Sequence, residues 1–221
     1  PRSSLKSNCR FFMGIRCGKN IRYFHGKIQR SCLKILRPFV MKKQLFFIAV
    51  LPGVSIAAEL TQLKQYAADH FDSWRALRSP PHLTLIPPFW WAPDARGRLD
   101  RALGAFCREQ APFSFQLNGF DCFAPRVIFV AVQPSFELNA LQGRLEKFLQ
   151  QSIALPVRDR RPFHPHLTIA FKDLRRSAFA DAWAYFSELP YKQDVEVREL
   201  ALLRHRDKKW EVVGRFPLGG N

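Results

Sequence analysis

Residues 163–171 read FHPHLTIAF and residues 80–89 read PPHLTLIPPF. The shared string, His-Leu-Thr followed by an aliphatic residue, begins at His82 and again at His166 and occurs nowhere else in the 221 residues. In an extended segment, residues two apart share a face. His82 and Thr84 therefore turn one way while Leu83 and Leu85 turn the other, and His166 and Thr168 oppose Leu167 and Ile169 in the same manner. The aliphatic side chains mark the core face, so each segment presents an imidazole and a hydroxyl side by side on the opposite one.

Both segments stand in register with a larger repeat. FIAVLPG at 47–53 aligns with FVAVQPS at 129–135 at an offset of 82, and the two histidines are 84 apart. From Pro52 to His82 is 30 residues and from Pro134 to His166 is 32. A unit that recurs with this spacing is a duplicated one. Between apolar strand and histidine each copy carries an apolar stripe near a 3.6 period, Ala58, Leu60, Leu63, Tyr66, Ala67 and then Leu138, Leu141, Leu145, Phe148, Leu149, which predicts a helix in each. Further helical stretches follow at 95–110 and 177–189, then extended ones at 113–123 and 195–205. A terminal hairpin is expected from LALLRH and KWEVVGRF, turning near Asp207-Lys208, and the stretch from Pro156 to Pro162, rich in Arg and Asp, is expected to be a long loop. The order strand, helix, strand, helix, strand, written twice, predicts an α+β fold. It has two pseudo-symmetric lobes, roughly 41–125 and 126–221 with scope for strand exchange, each a mostly antiparallel sheet with helices outside and the site in the cleft between them.

Composition bounds the rest. At 47% hydrophobic and 14% aromatic the chain has the apolar content of a folded protein and not of a disordered one. The formal charge of +17 is unevenly spread: residues 1–40 hold ten Lys/Arg and no Asp or Glu, leaving 25 basic against 18 acidic residues, or +7, for residues 41–221. Residues 1–40 are read as a basic extension, disordered or non-native, preceding a natural start at Met41; a nucleic-acid-binding arm or a presequence is the alternative. Only Cys107 and Cys122 fall in the body, without C-x-x-C spacing, which predicts neither disulfide stapling nor a zinc cluster and suggests a reduced, cytoplasmic setting. MKKQLFFIAVLPGVSIAAEL has the outline of a secretory signal, but its apolar run has a counterpart in the second copy and is read as a core strand. No stretch approaches the ~20 apolar residues of a membrane span.

Two imidazoles and two hydroxyls facing one cleft suit a tetrahedral anion. Hydroxyls donate to non-bridging phosphate oxygens, a neutral imidazole takes a proton from water, and a protonated one gives a proton to the leaving oxygen. Histidine serves both tasks because its ordinary pKa of ~6.5 leaves either form accessible near neutrality. This scheme needs no metal and no cofactor.

These residues carry a resemblance. His-x-Thr-aliphatic twice, in a duplicated strand–helix unit, with LFFIAVLP opening and ALLRHRDKKWEVVGRFPL closing the body, resembles the two-histidine (2H) phosphoesterase superfamily, in particular its RNA 2′,3′-cyclic phosphodiesterase or 2′-5′ RNA ligase branch. The resemblance implies His82 as proton donor, His166 as proton acceptor, and Thr84 and Thr168 as phosphate-binding residues. The reaction it implies is hydrolysis of a 2′,3′-cyclic phosphodiester to a 2′-phosphomonoester, or in the reverse sense 2′-5′ joining; exchanging the two histidine roles would serve the chemistry equally well. The implied partner is RNA or a nucleotide ending in 2′,3′-cyclic phosphate, with a monomeric protein and no membrane. One departure concerns the arginine that members of this branch often carry just after the second motif. Here that position is Phe171 and a lysine follows at Lys172, and because neighbouring strand residues face opposite ways, the lysine does not by position alone replace it. Phe163 and Lys172 are the candidate substrate contacts, Phe163 by stacking on a base.

Two other readings use the same residues. His82, His164 and His166 could form a His₃ zinc site with an open position, but that leaves the duplicated threonines without purpose and supplies no carboxylate to orient an imidazole. A single-stranded RNA-binding module without catalysis rests on the charge balance alone. His70 and His205 are read as surface histidines, and most of the 21 Phe and 5 Trp as packing.

Overall fold

A computed structural model describes residues 42–156 and 162–219. The basic extension 1–40 lies outside the described residues, as does most of the loop expected between Pro156 and Pro162. The strands are β1 (Gln44–Val50), β2 (Leu83–Trp91), β3 (Phe113–Phe123), β4 (Val127–Val132), β5 (His166–Ala170), β6 (Lys192–Val197), β7 (Glu199–Arg206) and β8 (Lys209–Pro217). The helices are α1 (Val54–Phe71), α2 (Arg96–Arg108), α3 (Phe136–Ile153) and α4 (Arg176–Ser187), with 3₁₀ turns at Arg75–Arg78 and Pro93–Ala95. Among the described residues no helix is long and apolar enough to cross a membrane.

The repeat survives into three dimensions. α1 and α3 each have 18 residues, begin and end 82 positions apart, start behind Gly53 and Ser135, and finish on left-handed residues, Asp72 and Ala154. Ser135 caps α3 with its hydroxyl, which accepts from the Leu138 amide at 3.2 Å. Gly53 has no side chain to offer, so α1 relies on its buried face, Leu60 and Ala67 among others.

All strands join one antiparallel sheet in the order β6-β3-β4-β5-β2-β1-β7-β8. Sheet halves and sequence halves do not coincide: β3, from the first copy, lies between β4 and β6, while β7, with β8 beyond it, lies against β1. The extended run 195–205 is two strands rather than one. It breaks at Arg198, sending β6 to one edge to pair with β3 and β7 to the other half to pair with β1. The closing hairpin is as the sequence predicts, with β7 and β8 paired from Glu199 opposite Pro217 to Arg206 opposite Lys209. Its two turn residues, Asp207 and Lys208, have positive φ of 48° and 63°, the backbone that a two-residue hairpin loop demands.

The main core lies on one face of the sheet, where Phe46, Ile48, Leu83, Leu85, Leu117, Val130, Leu167 and Ile169 meet buried residues of all four helices. On the other face a small apolar patch, Phe47, Ala49, Ala201 and Leu203, is backed by Trp210 and Val212. That second face carries the histidines.

Candidate active site

β2 and β5 meet at one matched pair, Leu83 opposite Leu167. Both leucines are buried in the main core. Counting one residue outward in an antiparallel pair sets His82 beside Thr168 and Thr84 beside His166, all four on the face away from the core. His82, Thr84, His166 and Thr168 line a single cavity of about 510 Å³. The geometry that the two segments imply separately is thus produced by one rung of the sheet.

The imidazoles are held alike. Nδ1 of His82 lies 2.7 Å from the carbonyl oxygen of Pro80, and Nδ1 of His166 lies 2.7 Å from that of His164. A carbonyl only accepts, so each Nδ1 carries a hydrogen and each Nε2 is the nitrogen left for chemistry. Beneath His82 lies Phe47, ring centres 4.7 Å apart, and beneath His166 lies Phe129 at 4.9 Å. Phe47 and Phe129 are the first residues of the two aligned strings 82 apart. Their role as floors under the imidazoles was visible in the repeat, but neither entered the sequence-based candidates.

Burial acts on both rings. It holds the proton affinity of His82 down to about 4, against the pull of the Pro80 carbonyl and with help from the positive charge of Lys64 and from His166. The pKa of His166 is lowered too, by burial first and by His164 in addition, again opposed by its carbonyl partner. Each imidazole is therefore neutral near pH 7.

Lys64 is the residue that sequence reasoning missed. It sits on α1, is 2% exposed, and donates from Nζ to the carbonyls of Ala76 and Ser79, each at 3.1 Å. Burial lowers its pKa to about 8. The signal was available: Lys64 falls four residues after Leu60 and three before Ala67, a lone charge on the buried stripe of a helix. By bonding Ala76 and Ser79 it fastens the segment that ends in Pro80, whose carbonyl fixes His82.

A second fastening comes from the other half of the sheet. Asp173, just beyond β5, accepts from the backbone amides of Trp74 (3.0 Å) and Arg75 (2.7 Å) and from the Ser73 hydroxyl (3.2 Å). Ser73 in turn accepts from the Phe171 amide at 3.3 Å. Asp173 thereby caps the turn that carries Arg75 and Arg78 to the cavity wall. Nothing in the sequence marks this long-range cap.

Lys64, Arg75, Arg78, Lys172 and Lys208 all line the cavity, and among the described residues no Asp or Glu does. Such a wall concentrates an anionic ligand. Both Phe171 and Lys172 belong to it, although neighbouring strand residues would face apart. The reason is that β5 ends at Ala170 and Lys172 takes a left-handed backbone, φ 41°, which breaks the alternation. His205 stands exposed on the same wall, packed on Trp210 at 4.9 Å.

Phe163 lines a different cavity, of about 650 Å³, whose wall includes Thr84, His166, His164, Phe123, Gln142 and Glu146. The two cavities share Thr84 and His166. His164 is on this far side, its ring 6.1 Å from that of His166. Among the described residues no three His, Cys, Asp or Glu side chains converge closely enough to hold a metal ion, so the His₃ arrangement is not formed by His82, His164 and His166. Cys107 is buried, and burial raises its thiol pKa to about 12, which leaves it inert.

A cationic cleft with paired His and Thr on a duplicated antiparallel sheet defines a two-histidine phosphoesterase fold. The profile of the 2′-5′ RNA ligase superfamily matches residues 52–209, and the chain belongs to that superfamily. An RNA 2′,3′-cyclic phosphodiesterase of Geobacillus stearothermophilus is 32% identical over 199 residues, which is 81% of this chain and 59% of the relative's length. Among solved structures, E. coli LigT complexed with 3′-AMP superposes with a TM-score of 0.57 at 22% identity. TT0787 of Thermus thermophilus does so with 0.56 at 21%; each match covers 80% of this chain and 99% of the other. At those identities the structures establish the fold.

Proposed function

We propose that the protein hydrolyses RNA 2′,3′-cyclic phosphodiester ends to 2′-phosphomonoesters without a metal ion. Nε2 of His166 takes a proton from water as the water oxygen forms a bond to phosphorus. The bond from phosphorus to the 3′ oxygen breaks, and that oxygen takes a proton from Nε2 of His82. The product holds its phosphate on the 2′ oxygen, and the two histidines have exchanged protonation states. Thr84 and Thr168 donate to the non-bridging oxygens, and the cationic wall balances their charge. A 5′-hydroxyl in place of water gives a 2′-5′ linkage by the same steps. The assignment of donor and acceptor follows the family resemblance.

The observation that carries this reading is the shared cavity of His82, Thr84, His166 and Thr168, each imidazole with Nδ1 tied back. The reading is supported by the similarity to a cyclic phosphodiesterase. The test is turnover of a nucleoside 2′,3′-cyclic phosphate in EDTA, with the product assigned as 2′- or 3′-phosphate. Wild type is expected to give the 2′-phosphate, and His82→Ala and His166→Ala each to lose about 10²–10⁴-fold in rate. Loss of activity on chelation, or a 3′-phosphate product, overturns the scheme.

A further inference from the structure

Beside the reaction centre lies a smaller hollow of about 250 Å³. Lys64, Arg78, Ser79 and Trp210 line both it and the reaction cavity. Lys209 belongs to the small hollow alone, and its outer walls are Thr61, Leu77, Pro80 and Pro81. Among the described residues its one carboxylate is that of Glu211, which is engaged by Arg204 at 3.3 Å. Three cations thus converge there, one of them fully buried. Of the three N–H groups of Lys64, two are spent on the Ala76 and Ser79 carbonyls, and among the described residues the third has no partner. Trp210 is half-buried with its edge against Phe47, ring centres 4.5 Å apart, which fixes it in place.

A hollow below the ~300–1,000 Å³ of a cleft that encloses a whole small-molecule ligand suits one charged group and not a complete nucleotide. We propose that it is the subsite for the phosphodiester that precedes the terminal nucleotide. The protein then selects the ends of oligonucleotides over cyclic mononucleotides. Lys64 and Arg78 span the two anionic groups, Lys209 closes on the upstream phosphate, and Trp210 offers an aromatic surface between them. This rests on the cyclic phosphodiesterase reading above.

The test compares kcat/KM for a nucleoside 2′,3′-cyclic phosphate with that for a dinucleotide and a trinucleotide ending in the same group. One upstream phosphodiester is expected to raise kcat/KM about tenfold or more, mainly through KM, and a further nucleotide to add little. The dependence of log kcat/KM on log salt should steepen by about 0.7 for the dinucleotide, the value for one phosphate contact on a single strand. Lys209 is exposed and outside the reaction cavity. Lys209→Ala should remove part of the dinucleotide advantage and Lys209→Glu most of it, with mononucleotide turnover within about twofold of wild type. Equal kcat/KM for mononucleotide and dinucleotide, or equal losses on both in Lys209→Glu, overturns the proposal. If no cyclic phosphate is turned over, the reaction assignment falls. The subsite is then judged by affinity: a dinucleotide ending in 2′-phosphate must bind at least about tenfold tighter than the nucleoside 2′-phosphate, and equal affinities overturn it.

Discussion

Replacing Lys64 by Met tests whether the buried lysine serves the site or the fold. Met has a similar length and no charge. The folded-state pKa of Lys64 is about 8, lowered from 10.5 by burial. Between those two values the unfolded chain holds the proton that the folded chain has released, so stability rises as pH rises from about 8 to 10.5. Over the whole window a shift of this size amounts to about 3 kcal/mol, of which about 2 kcal/mol falls between pH 7.5 and 10. Other groups act in the opposite sense: the Cys107 thiol, raised from 9.0 to about 12, contributes stability that is lost as pH climbs above 9. Such contributions are common to both proteins and cancel in the difference. Urea unfolding followed by tryptophan fluorescence at pH 7.5 and pH 10 reads that difference directly. With a slope of about 2 kcal/mol per molar urea, the wild-type midpoint should gain about 1 M over Lys64→Met across this range. At pH 7.5 the two should lie within about 2 kcal/mol of each other. The variant escapes the cost of a buried charge but leaves the Ala76 and Ser79 carbonyls without their donor, at about 1–3 kcal/mol each. A midpoint difference that stays constant with pH would refute the reasoning.

Two further predictions concern the cleft. Both histidines titrate below their ordinary 6.5, His82 at about 4, and the reaction needs one proton on the pair. kcat/KM, which reports the free enzyme, should therefore follow a bell with its maximum below pH 6.5. Removing the positive charge of Lys64 should move that maximum upward, and a wild-type maximum above pH 7 contradicts the assignment. Asp173→Ala strips the cap from the Arg75–Arg78 turn. It should lower stability by about 1–2 kcal/mol in urea unfolding and raise KM more than it lowers kcat, with Asp173→Asn intermediate; an unchanged KM would show that the cap does not position Arg75 and Arg78.

The fold and the pairing of His82, Thr84, His166 and Thr168 in one cavity were legible because the chain states them twice. One His-x-Thr string is common, but two in register with an apolar strand and a helical stripe fix strand direction, buried face and pairing of functions together. Lys64 was legible in principle, as a charge on the buried stripe of α1. Phe47 and Phe129 were hidden by abundance, since most of the 21 phenylalanines pack elsewhere. Asp173 was invisible: its acceptors serve amides 98 and 99 residues earlier, and no local pattern encodes such a separation. The break of the run 195–205 at Arg198 was missed for a related reason. Both pieces alternate as strands do, and only their partners, β3 and β1, reveal that they belong to opposite halves.

The exchange of strands makes the midpoint of the chain a poor place to divide it. A fragment ending near residue 125 would carry β3 without either of its neighbours and would leave β1 with a bare edge where β7 belongs. Each piece would expose unpaired backbone that the other is shaped to cover. Severed there, the polypeptide should recover by complementation between its two fragments, and neither alone would hold more than one of the two imidazoles.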